Sequence, residues 1–164
     1  HMFKGSIQSN ICFGKPDASD EEMVHAATVA QASDFISKRE HGYLDEIAED
    51  GTNISGGQKQ RLSIARVILK KPSLYIYDDS FSALDFKTDA TLRKALKPEV
   101  KDAIFFVVAQ RISTIMDSDM IIVLDEGQII GMGTHTQLLK DCRVYQEIAH
   151  SQLTQKELDD YERN

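Results

Sequence analysis

Three short runs of apolar residues in the second half of the chain constrain its fold more than any other feature. They cover residues 74–77, 104–109 and 120–124, and stretches with helical spacing, 88–96 and 112–116, lie between them. Because their apolarity is continuous rather than alternating, the runs predict strands buried on both faces. Strands that alternate with helices in this way predict an α/β fold with a mostly parallel sheet.

A second feature is the stretch Ser55-Gly56-Gly57-Gln58, which opens directly into an amphipathic run at 62–69. It predicts a helix whose first backbone N–H groups lack partners, at the end where the helix dipole is positive. The glycines allow close approach to the backbone, and the serine and glutamine side chains add donors that suit phosphate oxygens. The stretch therefore predicts an anion site, although an ordinary serine-capped helix would have the same sequence.

Other local signals predict further helices and one hairpin. Ser19 followed by Glu22 has the form of a capping box and starts a helix, whereas 37–53 is polar and predicts a loop with one short helical turn. The turn sequence at 125–127 predicts an antiparallel hairpin, and 136–151 predicts a last helix.

The composition fits a single soluble domain. The 164 residues carry 19 basic and 26 acidic side chains, and the net charge of −7 argues against binding to nucleic acid or to a membrane surface. Cys12 and Cys142 lie far apart, so two free thiols in a reducing compartment are expected. No apolar run reaches membrane-spanning length and no signal peptide is visible, so the chain is expected in the cytosol unless another segment carries it to a membrane.

Polar residues follow the first two predicted strands, at the edge where parallel sheets bind ligands. Asp78 and Asp79 close the first strand, and Gln110 closes the second. A carboxylate in this position can hold Mg²⁺ directly or through water. A solvated turn explains an acidic pair equally well, so the pair by itself leaves both interpretations open.

The order of these segments resembles the nucleotide-binding domain of ATP-binding-cassette (ABC) transporters. Residues 54–58 resemble the family's signature motif, 74–78 its Walker B strand and 82–85 its D-loop. Gln110 occupies the position of its switch residue. The resemblance extends over residues 3 to about 151, and four motifs in the right order make it specific.

This resemblance implies a partial P-loop NTPase fold, with a mostly parallel sheet, flanking helices and a helical subdomain that carries the signature. The helical subdomain would cover about 15–71 and the core subdomain 72–151. ATP and Mg²⁺ would be used by the intact protein, with Asp78 as the metal ligand. Ser82 and Asp85 would be the D-loop residues.

The resemblance also indicates a subtype. Residues 5–14 resemble the segment after the Q-loop in exporter-type members, and 45–51 resemble the exporter X-loop. By that resemblance, Glu46 and Glu49 would face the coupling helices of a transmembrane domain. From charge alone, a solvated acidic loop would be the simpler interpretation of these two residues.

Two departures from the family pattern fall on the catalytic positions. The family's usual glutamate after Walker B is Asp79 here, and the usual switch histidine is Gln110. The signature, in contrast, departs only by isoleucine at position 54. This pattern implies one half of an asymmetric heterodimer, which holds ATP in a weakly hydrolytic site of its own. Its signature residues 55–58 would complete the site of a second nucleotide-binding domain.

The family's phosphate-binding Gly-x-x-x-x-Gly-Lys-Ser/Thr sequence does not occur in these residues. The chain therefore resembles the C-terminal part of the domain, with residues 1–2 as a cloning remnant and 152–164 as a polar tail. By itself it is expected to be inactive as an ATPase. Without the neighbouring Walker A strand it is expected to expose an apolar edge and face and to self-associate.

Two other interpretations remain beside the exporter ATPase, which would act at the cytoplasmic face of the cell membrane. The first is a soluble ABC-type ATPase of chromosome maintenance or repair, against which the acidic charge and the exporter-like loop at 45–51 argue. The second is a non-enzymatic piece that acts only through pairing with a complementary partner.

Overall fold

The computed structural model describes residues 1–78 and 85–154, except for the side chain of Phe86. The chain divides into two compact units, His1–Phe106 and Val107–Asn164, with the boundary inside one strand. The elements of the first unit, up to that strand, are β1 Gly5–Ser6, α1 Ile7–Cys12, α2 Asp20–Val29, α3 Ser33–Ile36, a 3₁₀ turn Gly42–Leu44, β2 Glu46–Ile47, a 3₁₀ turn Glu49–Gly51, α4 Gly56–Lys70, β3 Leu74–Asp78, α5 Phe86–Glu99 and β4 Ile104–Val108. Those of the second unit are α6 Ile112–Ile115, β5 Ile121–Asp125, β6 Gln128–Gly133, α7 His135–Asp141 and α8 Arg143–Gln152.

Helices α2 and α4 begin at the serine caps that the sequence predicts, Ser19 and Ser55. Ser19 and Glu22 form the capping box that starts α2, with each side chain accepting a bond from the other residue's backbone N–H. Helix α4 ends at Lys70 and is capped by Lys71, whose φ of +48° lies in the left-handed region, directly before Pro72. The serine-capped starts that the sequence predicts for both helices are therefore confirmed.

The core of the first unit lies among α1, α2 and α4. Helix α4 contributes one continuous apolar face, and α1 and α2 cover it, so these side chains are nearly inaccessible to solvent. The buried apolar residues of the three helices are Ile7, Ile11, Met23, Ala26, Ala27, Val29, Leu62, Ile64, Ala65, Ile68 and Leu69. Met2 also belongs to this core at 2% exposure, although the sequence gives it the appearance of a cloning remnant.

Short elements near the N-terminus escape sequence-based prediction. Strand β1 pairs antiparallel with β2, so that Gly5 lies opposite Ile47 and Ser6 opposite Glu46. Strand β2 and two 3₁₀ turns interrupt the stretch 37–53 that is predicted to be mostly loop. A two-residue strand and a six-residue helix are too short to show a period in the sequence.

Strands β3 and β4 pair in a two-stranded sheet with one buried and one open face. The aromatic rings of β3 point into the unit, with Tyr75 2% and Tyr77 3% exposed, and Phe105 of β4 packs on Tyr77 at a ring-centroid distance of 4.9 Å. The alternate residue Ile76 is 67% exposed. The prediction of burial on both faces is therefore wrong for these strands, because continuous apolarity does not show whether another layer covers the second face.

The mostly parallel sheet that the sequence predicts is not confirmed as one sheet among the described residues. Within residues 1–78 and 85–154, strands are joined only in pairs, β1 with β2, β3 with β4 and β5 with β6. Strand β5 pairs antiparallel with β6 in the predicted hairpin. Glu126 and Gly127, at φ +46° and +77°, make its tight turn.

The second unit closes α7 and α8 over one face of the β5–β6 hairpin. Its buried residues are Ile112, Ile121, Val123, Leu138, Cys142, Tyr145 and Ala149. The single helix predicted over 136–151 is two helices, because Cys142 takes an extended conformation at φ −120° and ψ 103°. The two helices are joined by a buried hydrogen bond of 2.7 Å between the His135 Nδ1 atom of α7 and the Tyr145 hydroxyl of α8.

Candidate functional site

The start of helix α4 is a closed capping box. The Ser55 hydroxyl accepts a bond from the Gln58 backbone N–H at 3.3 Å, and the Gln58 side-chain oxygen accepts from the Ser55 N–H at 3.0 Å. Both side chains, which the sequence offers as phosphate donors, are therefore engaged with the helix end itself. The serine-capped helix and the anion site are compatible interpretations of one sequence, since the cap leaves other donors open.

Those open donors are the backbone N–H groups of Gly56 and Gly57. Within the described part of the chain neither group has a hydrogen-bond partner, whereas the Gln58 N–H bonds to the Ser55 hydroxyl at 3.3 Å and the Lys59 N–H to the Ser55 carbonyl at 2.9 Å. Gly56 is exposed and Gly57 is half-buried. Two unpaired N–H groups at the positive end of a helix can bind one anionic oxygen atom each.

The loop before the cap is held in place by a buried side chain and by hydrogen bonds. Ile54 is buried, and Ile54 N–H donates to the Gly51 carbonyl at 3.1 Å. Asn53 fastens the same loop to β2, because its side chain donates to the Glu46 carbonyl at 2.8 Å and accepts from the Ala48 N–H at 3.0 Å. The glycines are therefore presented by an ordered loop.

The two acidic positions that the structure describes near the D-loop differ in their surroundings. Asp78 is exposed at the carboxyl end of β3. Asp85 caps α5, because its carboxylate accepts bonds from the Thr88 N–H at 3.0 Å and the Thr88 hydroxyl at 2.6 Å. These bonds hold the pKa of the Asp85 carboxyl below its ordinary value. Asp79 and Ser82 lie outside the described residues.

Gln110 belongs to the second unit and lies two residues after the end of β4. Its side chain is exposed, and its backbone carbonyl accepts a bond from the Gln152 side chain at 2.9 Å. The Gln152 side-chain oxygen also accepts a bond from the Ile112 N–H at 2.9 Å. The end of α8 thus holds the backbone at Gln110 and Ile112, on either side of Arg111.

Glu46 and Glu49 lie on one short, ordered segment of the first unit. Ile47 between them is fully buried, and both carboxylates are on exposed residues. The Ile7 N–H donates to the Asp45 carbonyl at 3.0 Å, which joins this segment to α1. The segment therefore presents two acidic side chains to its surroundings on a fixed backbone.

Comparison with known proteins decides the family. A model of the ABC transporter family matches residues 3–82. An uncharacterized ABC transporter ATP-binding protein of Mycobacterium tuberculosis is 43% identical over 155 residues, 93% of this chain and 26% of the relative. The chain belongs to the ABC transporter family. A Staphylococcus aureus relative, named for multidrug export as an ATP-binding/permease protein, is 42% identical over 147 residues, 90% of this chain and 25% of its own length.

A solved structure assigns the ABC chain to the exporter type. The structure of a bacterial Atm1-family ABC exporter with ATP bound matches with a TM-score of 0.88 and 36% identity, over 94% of this chain and 27% of the other. The fold is thus that of an ABC exporter nucleotide-binding domain, of P-loop NTPase type. The chain spans about a quarter of the length of the relatives that it matches.

In this ABC domain Ser55 and Gln58 are in contact at the start of α4, whereas Asp78, which the sequence predicts as the metal ligand, is the one described carboxylate at the end of β3. No group of three His, Cys, Asp or Glu side chains forms a metal site in residues 1–78 and 85–154. Within the same ranges, no helix combines the length and apolarity needed to cross a lipid bilayer. One carboxylate fits Mg²⁺ when phosphate and water supply the remaining ligands.

Arg61 is the residue at this site that sequence reasoning missed. It lies one helical turn after Gly57, whose carbonyl accepts a bond from its Nε atom at 3.3 Å. The only signal in the sequence is its place at the end of the signature stretch. The contacts that distinguish it come from residues about thirty positions earlier in the chain, with one bond spanning a separation of 30.

Proposed function

We propose that the chain is part of the ATP-binding component of an ABC exporter and that it supplies its signature loop to ATP held by a second nucleotide-binding domain. The observation that carries this proposal is the start of α4, where the capping box leaves the N–H groups of Gly56 and Gly57 open to an anion. Ser55 and Gln58 hold this geometry from within, and the loop is exposed enough to be reached by a partner.

The site that this chain would form with its own nucleotide is weaker in our proposal. The aspartate carboxylate at Asp79 is one methylene shorter than glutamate, a loss of about 1.5 Å of reach. A misplacement on the order of 1 Å can cost about 10²-fold in rate. Gln110 can hydrogen-bond a phosphate, but it cannot accept a proton near neutral pH as histidine can. Both changes fall on hydrolysis rather than on binding.

The remaining positions take roles that the asymmetric heterodimer would require. Asp78 would hold Mg²⁺, which supplies charge neutralisation to the nucleotide phosphates when bound. Ser82 and Asp85 would serve in the D-loop between the two domains. Glu46 and Glu49 would face the transmembrane domain, at the cytoplasmic face of the cell membrane, and their exposure on a fixed backbone supports this role.

The test is to restore the usual residues in the intact heterodimer. Asp79→Glu together with Gln110→His should raise ATP hydrolysis at this chain's own site, since a longer carboxylate and a proton acceptor return to it. Hydrolysis is measured with the partner's site inactivated, so that only this site contributes. An unchanged rate would show that these two positions do not limit hydrolysis.

A second candidate concerns the 164 residues by themselves. The sequence contains no Gly-x-x-x-x-Gly-Lys-Ser/Thr stretch to hold phosphates, and the apolar face of β3 and β4 is open, as Ile76 and Phe106 show. We infer that this piece alone is inactive as an ATPase and acts only by pairing, including with copies of itself.

A further inference from the structure

Arg61 connects the signature loop to the far end of helix α2. Its Nη1 atom donates to the Gln31 carbonyl at 2.8 Å, while its Nε atom donates to the Gly57 carbonyl at 3.3 Å. Its guanidinium lies over the Phe35 ring, 5.0 Å from the centroid. Three contacts in different directions fix a side chain that could otherwise adopt many rotamers.

The carbonyl that receives Arg61 is itself held in an uncommon conformation. Gln31 has a φ of +58°, in the left-handed region, and its side-chain amide donates to the Thr28 carbonyl at 3.2 Å. This turn directs the Gln31 carbonyl away from α2 and toward α4. A cation at this place also lies at the negative end of the α2 dipole, which favours its charge.

Charges from two other elements act on the same guanidinium. Burial lowers the pKa of the Arg61 guanidinium, and the carboxylates of Asp85 on α5 and Asp34 on α3 act in the opposite direction. The guanidinium remains charged in either case, because its ordinary pKa lies far above neutrality. Arg61 therefore experiences the charge of the residue that caps the helix after the D-loop.

We propose that Arg61 is a positioning residue for the signature loop. It fixes the Gly57 peptide, and with it the direction of the open N–H groups of Gly56 and Gly57, against the end of α2. Glycine peptides have wide conformational freedom, so an external bond to the Gly57 carbonyl has a large effect on their orientation. The inference rests on the proposed function, in which these N–H groups contact a partner's ATP.

Helix α4 contains its own matched control in Arg66. This second arginine is also half-buried, lies over the rings of Phe3 and Phe13, and donates to a backbone carbonyl, that of Asn10, at 2.8 Å. Its contacts fasten the N-terminus to the helix and do not involve the signature loop. Lysine in either position retains the charge but loses the planar fork and the stacking.

The experiment compares Arg61→Lys with Arg66→Lys in the full-length heterodimer. ATP hydrolysis at the partner's site is measured against ATP concentration, and thermal unfolding of each variant reports the structural loss. Arg61→Lys should raise the KM for ATP roughly tenfold, the effect expected for a lost hydrogen bond to a charged group. Arg66→Lys should lower thermal stability by about as much as Arg61→Lys does, and it should leave the KM for ATP near the wild-type value.

A Gly57→Asp variant separates the inference from the proposed function on which it rests. Its carboxylate would repel the phosphate and should abolish hydrolysis at the partner's site. If Gly57→Asp abolishes hydrolysis but Arg61→Lys and Arg66→Lys change KM equally, the positioning role is wrong and the proposed function stands. If Gly57→Asp leaves hydrolysis unchanged, the signature loop does not serve the partner's ATP and both are wrong.

Discussion

The helices of the first unit and the strands of the molecule differ in how completely they bury their own apolar side chains. Helices α1, α2 and α4 enclose theirs, so that Ile11 and Leu62 are both 0% exposed. The strands enclose only one face, and Ile76 of β3 and Leu124 of β5 are each 67% exposed. A helix completes its backbone hydrogen bonds within itself and needs only one packed face, whereas a strand needs neighbours on its edges and its faces.

The largest effect that separates the two regions should come from truncating a side chain in the closed core. Leu62→Ala would leave a cavity among α1, α2 and α4, and we expect it to lower the free energy of unfolding by about 2 to 5 kcal/mol. The matched change Ile76→Ala removes the same number of carbon atoms from an open face and should change the free energy of unfolding by about 0.5 kcal/mol or less.

Both free energies are measured by denaturant unfolding at low protein concentration, so that association does not contribute. Similar losses for the two variants would show that the β3–β4 face is covered in solution. That result would remove the distinction between the closed helices and the open strands.

Sequence signals predicted the parts of the molecule whose causes lie within a few residues. The capping box at Ser19 depends on a side chain three positions later, the cap of α4 on Ser55 itself, and the hairpin turn on Glu126 and Gly127. The exposed strand faces, the break at Cys142 and the burial of Met2 depend on packing between distant segments. Apolar composition alone cannot show which face another segment covers.

The candidate site divides in the same way. The order of the motifs in the sequence indicated the family and the residues Ser55 to Gln58, because the motifs are short and contiguous. The contacts of Arg61 could not be predicted, since the Gln31 carbonyl that receives its bond lies in the turn after α2, thirty residues earlier in the chain. Ser55 and Gln58 bond to each other, so in our proposal they hold the start of α4 and leave the glycine N–H groups open, instead of donating directly to phosphate.

A smaller effect should appear in the closed part of the second unit when the pH falls. Burial lowers the pKa of His135 from its ordinary value of 6.5, against the opposing charge of Asp117. In the unfolded chain this histidine therefore takes up a proton at a higher pH than in the folded protein. Its contribution to stability is fully present above pH 6.5 and is lost as the pH falls through the lower folded-state pKa.

The measurement is the free energy of unfolding between pH 7.5 and pH 5.5, followed in three proteins. We expect the wild type and a His150→Gln control, changed at an exposed histidine of α8, to lose stability with similar slopes. His135→Gln should give a flatter slope. Equal slopes in all three proteins would show that the buried pair of His135 and Tyr145 does not respond to pH in this range.

The smallest change in monomer stability should come from adding charge to the open strand face, yet this change should alter association most clearly. An exposed apolar face on paired strands favours contact with another copy, so light scattering should give an average mass that rises with concentration. Ile76→Lys with Phe106→Lys should keep the chain monomeric and change the free energy of unfolding by about 0.5 kcal/mol or less.

Leu44→Lys provides the control, because Leu44 is 68% exposed but lies outside the strands. A wild-type chain that stays monomeric at high concentration, or a Leu44→Lys variant that dissociates as completely as the double variant, would show that the open face of β3 and β4 does not drive pairing.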